Sequence, residues 1–257
     1  MAVGDAPWRR IAGFRVVMSW PDSGLISPPG PSPPPQPSQP PRPPPGWFRA
    51  RLAGIAGVLL LVGGGITVGI AALSQHHAPQ PSAAAAGAVG PSAARGPSVR
   101  RSVPVSVDIP AIGVHSELLR LGLNADGTIQ VPSLTTSADE AAWYKYSPTP
   151  GQIGASVIEG HVDSYRGPAV FFQLGALRPG DVIDVTLADG LTAIFRVTGV
   201  RDYAKVEFPT RMIYGPTDYA ALRLITCGGA FDPATGHYLS STVVFASLAS
   251  YRTSASD

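Results

Sequence analysis

The pattern of hydrophobic and polar residues divides the chain into one long apolar run and a region of many short ones. The long run covers residues 52–73, which are 22 residues without a charge. At ~1.5 Å per residue, a helix of this length reaches about 33 Å, enough to cross the ~30 Å hydrocarbon core of a bilayer. A signal peptide would be shorter and closer to the N-terminus, and a buried core helix rarely runs this long without a charge. The sequence therefore predicts a single transmembrane helix over 52–73.

Beyond Val103 the pattern changes to short β-branched runs separated by turn sequences. Examples of the runs are "VPVSVDIP", "DVIDVTLADGLTAIFRVTGV" and "AALRLITC", and "NADG" and "LADG" are typical turns. Only residues 168–177 and 210–216 suggest a turn or two of helix. Many short strands at this spacing predict an all-β domain over 103–250, either a closed β-barrel or a sandwich.

Proline content and charge define the segments on either side of the apolar run. Residues 27–46 hold twelve of the 28 prolines, which predicts an extended spacer. Residues 1–51 contain six arginines and two acidic residues, so the positive-inside rule puts this tail in the cytoplasm and the rest of the chain outside the cell. Met18 is an alternative start. Residues 74–102 are rich in Ala, Pro, Ser and Gly and predict a flexible stalk.

Composition excludes several classes of function. The net charge of +2, with no basic cluster, argues against nucleic-acid binding. A single cysteine excludes an intramolecular disulfide and a CxxC site. Neither a zinc signature, a P-loop nor a dinucleotide fingerprint is present, so we expect no metal and no cofactor.

Two reactive side chains stand at predicted strand ends. Cys227, the only cysteine, ends "LRLIT" and precedes two glycines, and His161 follows the strand "SVIEG". An imidazole beside a thiol can act as its base or pair with the thiolate. Taken separately, a lone cysteine is more often a small buried hydrophobe and a histidine beside a glycine is usually a turn residue. Retention of a free thiol outside the cell, where it can be oxidised, favours a use for it.

The segments "LITCGGAFD", "IEGHVDS" and "IPAIGVHSELLRLGLNADGTIQVP", in this order, resemble sortases of the class F type, which are membrane-anchored cysteine transpeptidases. The resemblance implies an eight-stranded sortase β-barrel. It also implies that Cys227 attacks the Thr–Gly bond of an LPxTG-like sorting signal and forms a thioester. An amine of a cell-wall precursor or a pilin then takes the acyl group, and His161 moves the proton. Rival hypotheses are an inert module that binds sorting signals, a hydrolase of the same fold, and a structural β-domain such as an adhesin.

The resemblance also assigns substrate-binding positions. Gly228 and Gly229 would let a substrate backbone approach the thiol, and His115 would lie beside the active site. The usual arginine of these enzymes lies on the strand after the cysteine strand, but that strand, "GHYLSSTVVFA", has Ser241 at the corresponding position. Arg223 shares a strand face with Cys227 at a distance of about 13 Å along the strand and is the expected guanidinium donor. Arg166 and Arg211 are weaker candidates.

Overall fold

The computed structural model describes residues 77–88, 90 and 96–253, and the predicted tail over 1–51 and membrane span over 52–73 lie outside them. Within the described residues no helix is long and apolar enough to cross a membrane. The described part contains one α-helix, α1 (Thr210–Tyr214), and ten strands. The strands are β1 (Pro104–Ile109), β2 (Val114–Leu121), β3 (Ala141–Tyr144), β4 (Gly154–Glu159), β5 (Asp163–Ser164), β6 (Gly167–Pro168), β7 (Val182–Leu187), β8 (Leu191–Ala204), β9 (Ala220–Asp232) and β10 (His237–Thr253).

Eight of these strands close into a barrel in the order β1-β2-β3-β4-β9-β10-β8-β7. This arrangement confirms the predicted eight-stranded barrel, and closure leaves no free sheet edge. Strands β5 and β6 form a separate two-stranded sheet directly after β4. Most neighbours are antiparallel, but β2 and β3 run parallel, and so do β4 and β9. The carboxyl end of β4 therefore lies beside the middle of β9, where Glu159 pairs with Ile225.

Two of the short helical segments fall in the regions that the sequence indicates, and three further 3-10 turns, Ala83–Ala86, Pro110–Ile112 and Lys205–Glu207, lie outside them. Residues 210–214 form α1, and Leu174–Ala176 form a single 3-10 turn within the apolar stretch 168–177. Both segments hold hydrophobic residues that are buried against the barrel, among them Ile213 and Leu174. The barrel therefore carries small covering elements, and helices make no layer of their own in the described residues.

Strands β4 and β9 are buried on both faces, and this explains their continuous apolar sequences. Leu222 and Leu224 belong to the main core together with Ile158 of β4. The alternate residues Val157 and Ile225 belong to a second cluster, whose other buried members are Ile129, Tyr144, Val243, Phe245, Ile213 and Tyr214. Because side chains alternate along a strand, the second cluster lies on the outer wall of the barrel, under α1.

The segment 77–88 lies against the barrel, which differs from the flexible stalk expected over 74–102. Ala85 is 1% exposed and belongs to the main core cluster. The backbone amide of Ala88 donates to the Thr198 carbonyl at 2.9 Å, and the Arg201 guanidinium donates to the carbonyls of Ala86 and Gly87. The low charge and small side chains that suggested a solvated linker also suit a segment lying close to a β-sheet surface.

Candidate active site

The thiol of Cys227 lies on the outer wall of the barrel near the middle of β9. It shares a strand face with Ile225, two residues earlier, and it packs with Val162 in a small cluster at the end of β4. Only 8% of the residue is exposed. Burial raises the pKa of the thiol to about 11, although the nearby Lys205 ammonium acts to lower it. At neutral pH the thiol therefore holds its proton until a base removes it.

The parallel pairing of β4 and β9 brings His161 to the side of Cys227. The last paired residues of the two strands are Glu159 and Ile225, and the amide of Gly160 donates to the Ile225 carbonyl at 3.1 Å. Continuing this register by two residues sets position 161 opposite position 227, on strands that are about 4.8 Å apart. His161 and Cys227, the two reactive residues predicted at strand ends, thus lie on adjacent stretches of backbone.

The His161 ring has a defined tautomer. Its Nε2 atom lies 2.6 Å from the carbonyl oxygen of Pro132. A carbonyl oxygen only accepts, so Nε2 carries the hydrogen, and Nδ1 is the basic nitrogen of the neutral ring. Burial lowers the pKa of His161, and the contacts with Pro132 and Asp163 offset this only in part. The ring is therefore neutral at physiological pH and can accept a proton at Nδ1.

Lys205 provides a cation at the thiol, and the sequence reasoning missed it. Its Nζ atom lies 3.6 Å from Sγ of Cys227. Lys205 directly follows β8, and β10 lies between β8 and β9. Ser241 of β10 pairs with Tyr203 on one side and with Cys227 on the other. This neighbourhood depends on the strand order β8-β10-β9, which the sequence pattern does not specify.

The structure does not bring Arg223 to the thiol. The residue is 2% exposed, and its guanidinium donates to the Tyr219 hydroxyl at 3.3 Å and to the Leu222 carbonyl at 3.1 Å. It also lies over the Phe245 ring, 4.7 Å from the centroid. Tyr219 is on the far side of Arg223 from Cys227 along the chain, so the guanidinium points away from the thiol.

Of the other arginine candidates, Arg166 has partners elsewhere and Arg211 lies in α1. Arg166 donates to the Thr135 carbonyl at 2.8 Å and lies over the Tyr165 ring. Arg211 lies in α1, where its own carbonyl accepts from the Gly215 amide. Ser241, at the position where the resemblance expected arginine, is fully buried and pairs with Cys227 across β9 and β10.

The two glycines after the thiol have packing reasons of their own. A Cβ atom on Gly228 would come within 2.3 Å of Thr242 Oγ1, so β9 and β10 approach too closely for a side chain there. Gly229 has φ of +73°, a conformation that favours glycine, and its amide donates to the side-chain oxygen of Gln80 at 3.2 Å. The segment 77–88 therefore reaches the end of the site, where Ala78 packs against the cluster that contains Cys227.

His115 lies at the same end of the barrel but three strands away from β9. Its side chain is 76% exposed and contacts Asp108 on the neighbouring β1, which raises the pKa of the imidazole. Three strands at ~4.8 Å each correspond to about 14 Å along the barrel wall.

Asp163 is nearer to the site and accepts a hydrogen bond from the Tyr238 hydroxyl. In the part of the chain that the structure describes, no group of three or more acidic, histidine or cysteine side chains could hold a metal ion.

Comparisons with known proteins place this site in a family. A model of the sortase domain matches residues 107–249. A search among curated proteins finds no match. Sortase A of Listeria monocytogenes is 18% identical, with a TM-score of 0.45 over 60% of this chain and 92% of that one. Sortase C-1 of Actinomyces oris is 21% identical, with a TM-score of 0.43 over 56% and 73% of the two chains. The domain match covers more than half of the sequence and includes every barrel strand except the start of β1 and the end of β10, so the chain belongs to the sortase family of cysteine transpeptidases.

Proposed function

We propose that this chain is a class F-type sortase, anchored by residues 52–73, whose catalytic domain works outside the cell. In this proposal it cleaves an LPxTG-like sorting signal between Thr and Gly and transfers the acyl group to an amine of a cell-wall precursor or a pilin. The observation that carries the proposal is the parallel β4–β9 register, which sets a neutral imidazole beside the single thiol of the chain.

The first half of the reaction forms a thioester. Nδ1 of His161 takes the thiol proton while Sγ of Cys227 attacks the threonine carbonyl carbon, and the carbonyl electron pair moves onto oxygen. When that pair returns, the C–N bond breaks and the imidazolium gives its proton to the departing glycine nitrogen. The second half reverses these roles: the acceptor amine attacks the thioester, His161 takes a proton from the amine, and the thiol leaves as S–H. One amide is consumed and one is formed.

Replacement of Cys227 by alanine tests this proposal. The full-length chain in detergent is incubated with LPxTG-type peptides that vary at the x position and at the final residue, with and without a triglycine or meso-diaminopimelate acceptor. We expect the wild-type protein to form a thioester adduct, seen by mass spectrometry, and to release an amide product only when the acceptor is present. Cys227→Ala should abolish both, with a stability loss of about 1 kcal/mol, because a methyl group fills most of the thiol volume.

The same experiment separates the rival functions. Turnover of peptide to the free acid at an equal rate with and without the acceptor would indicate a hydrolase. Binding of the peptide without a thioester would indicate an inert module. Appreciable turnover by Cys227→Ala would contradict the proposed nucleophile.

A further inference from the structure

The buried thiol near the middle of β9 needs a positive charge when it ionises. Cys227 is 8% exposed, and isolated anions are strongly disfavoured away from water. Two acidic side chains act on it from the same end of the barrel, since Asp163 and Glu159 both raise the pKa of the thiol. The Tyr238 hydroxyl is neutral, and burial keeps His161 neutral until it has taken the thiol proton. The attacking form of Cys227 therefore requires a permanent cation nearby.

We infer that Lys205 is that cation and is a catalytic residue: its ammonium stabilises the Cys227 thiolate and then the oxyanion formed by attack. This inference rests on the proposed function for its second step only. It stands on the Nζ–Sγ distance of 3.6 Å and on the half-buried position of Lys205 at the end of β8. An opposite charge within ~4–6 Å favours the charged form of a group, and a partly desolvated site strengthens that effect.

The chemistry of lysine suits both steps. The oxyanion forms on the oxygen of the carbonyl whose carbon has just bonded to Sγ, so the negative charge moves by two bonds. A lysine ammonium is a point charge with three donors on a flexible four-carbon stem. The side chain can therefore follow the charge from sulfur to oxygen while the backbone stays in place. Lys205 keeps its three protons throughout, because His161 carries the proton that leaves the thiol and reaches the amine.

The placement of Lys205 does not look like that of an ordinary surface lysine. Seventeen of the nineteen basic residues other than histidine are arginines, and the two lysines are Lys145 and Lys205. Lys145 directly follows β3, which is four strands away from β8 around the closed barrel. Its Nζ atom lies over the Tyr146 ring, 5.3 Å from the centroid. The chain thus offers one lysine at the thiol and a second that serves as a matched control.

The rate of Cys227 alkylation by iodoacetamide across pH tests the first step without any peptide. The full-length protein in detergent is compared with Lys205→Met, Lys205→Arg and Lys145→Met, and a thermal melt confirms that each variant is folded. We expect Lys205→Met to move the pH profile upward by about one to three pH units, and so to slow alkylation at pH 7 about tenfold or more. Lys205→Arg should restore most of the profile, and Lys145→Met should match wild type.

Peptide cleavage tests the second step. Lys205→Met should lower kcat/KM for an LPxTG-type peptide by about a hundredfold, the usual effect of losing one oxyanion donor. An alkylation profile of folded Lys205→Met that coincides with wild type overturns the inference, as does a kcat/KM equal to that of Lys145→Met. If the wild-type protein cleaves no peptide at all, the proposed function fails, and the alkylation profiles still decide whether Lys205 is the counter-ion of the thiolate.

Discussion

Glu159 lies in an environment that is unusual for a carboxylate. It is 1% exposed at the end of β4, and Tyr214 donates to its Oε1 at 3.0 Å. Its Oε2 has no hydrogen-bond partner in the described part of the chain. Burial raises the pKa of this carboxyl from 4.5 to about 7. At neutral pH, the residue next to the His161 segment is therefore divided between a neutral and a charged form.

This raised pKa predicts a pH dependence of stability. The folded protein binds this proton more tightly than the unfolded chain, so the contribution of Glu159 to stability is full below pH 4.5 and is lost as pH rises through about 7. At about 1.4 kcal/mol per pKa unit, the loss is on the order of 3 kcal/mol. Glu159→Gln, which keeps an acceptor for Tyr214, should remove that part of the slope in urea denaturation at pH 5, 6, 7 and 8. Glu117→Gln, at an exposed position of β2, is the control, and equal slopes in Glu159→Gln and wild type would contradict the assignment.

The sequence pattern predicts the two central residues of the candidate site but not the side chains around them. Cys227 and His161 each end an apolar run, and this is a local pattern. Lys205 follows a different strand and reaches the thiol only because β10 lies between β8 and β9. Arg223 was expected at the thiol because it shares a strand face with Cys227, but side-chain direction depends on the ring of Phe245 and the hydroxyl of Tyr219. Strand alternation gives the face of a residue and leaves the direction of a long side chain undetermined.

At the scale of elements, one hydrogen bond joins the start of β10 to the segment after His161. The Tyr238 hydroxyl donates to Asp163, and Asp163 stands two residues after His161. Tyr238→Phe should loosen this segment and lower the free energy of unfolding by about 1 kcal/mol, with a fall in kcat of about two- to tenfold, because a hydrogen bond to a charged acceptor is lost. Tyr251→Phe, on the exposed end of the same strand, should change neither. A kcat equal to wild type in Tyr238→Phe would show that this bond does not position the site.

The elements themselves were largely predictable, since β7 alternates strictly between buried and half-buried residues and the closed barrel needs such strands. The segment 77–88 was not. Its runs of alanine and proline carry no periodicity, and its packing comes from a close fit to two glycines, Gly175 in the 3-10 turn and Gly199 in β8. A Cβ atom on Gly175 would come within 2.0 Å of the Pro79 carbonyl oxygen, and one on Gly199 within 2.6 Å of the Ala86 carbonyl oxygen. This fit is possible because glycine has no side chain, and a hydrophobic pattern does not predict such a contact.

At the scale of the whole molecule, this fit predicts that the folded domain includes residues well before Val103. Three hydrogen bonds tie residues 86–88 to β8, and Ala85 is buried in the main core. At about 1 kcal/mol for each hydrogen bond, a fragment of residues 77–257 should be more stable than one of residues 89–257 by about 3 kcal/mol. Urea denaturation of both fragments, at a pH where each is soluble, measures the difference directly.

A point substitution separates packing of this segment from the mere length of the fragment. Ala85→Glu in the fragment of residues 77–257 places a carboxylate at a buried core position. Because burial of a charge costs more than the packing of the segment contributes, the segment should detach and the stability should fall to that of the shorter fragment. Ala84→Glu, at the exposed neighbouring position, should leave the stability unchanged. Detachment should also uncover the thiol, since Ala78 packs against the Cys227 cluster and Gln80 binds the Gly229 amide. Iodoacetamide should then label Cys227 faster in Ala85→Glu than in Ala84→Glu, and equal labelling with equal urea midpoints would mean that residues 77–88 contribute nothing to the fold.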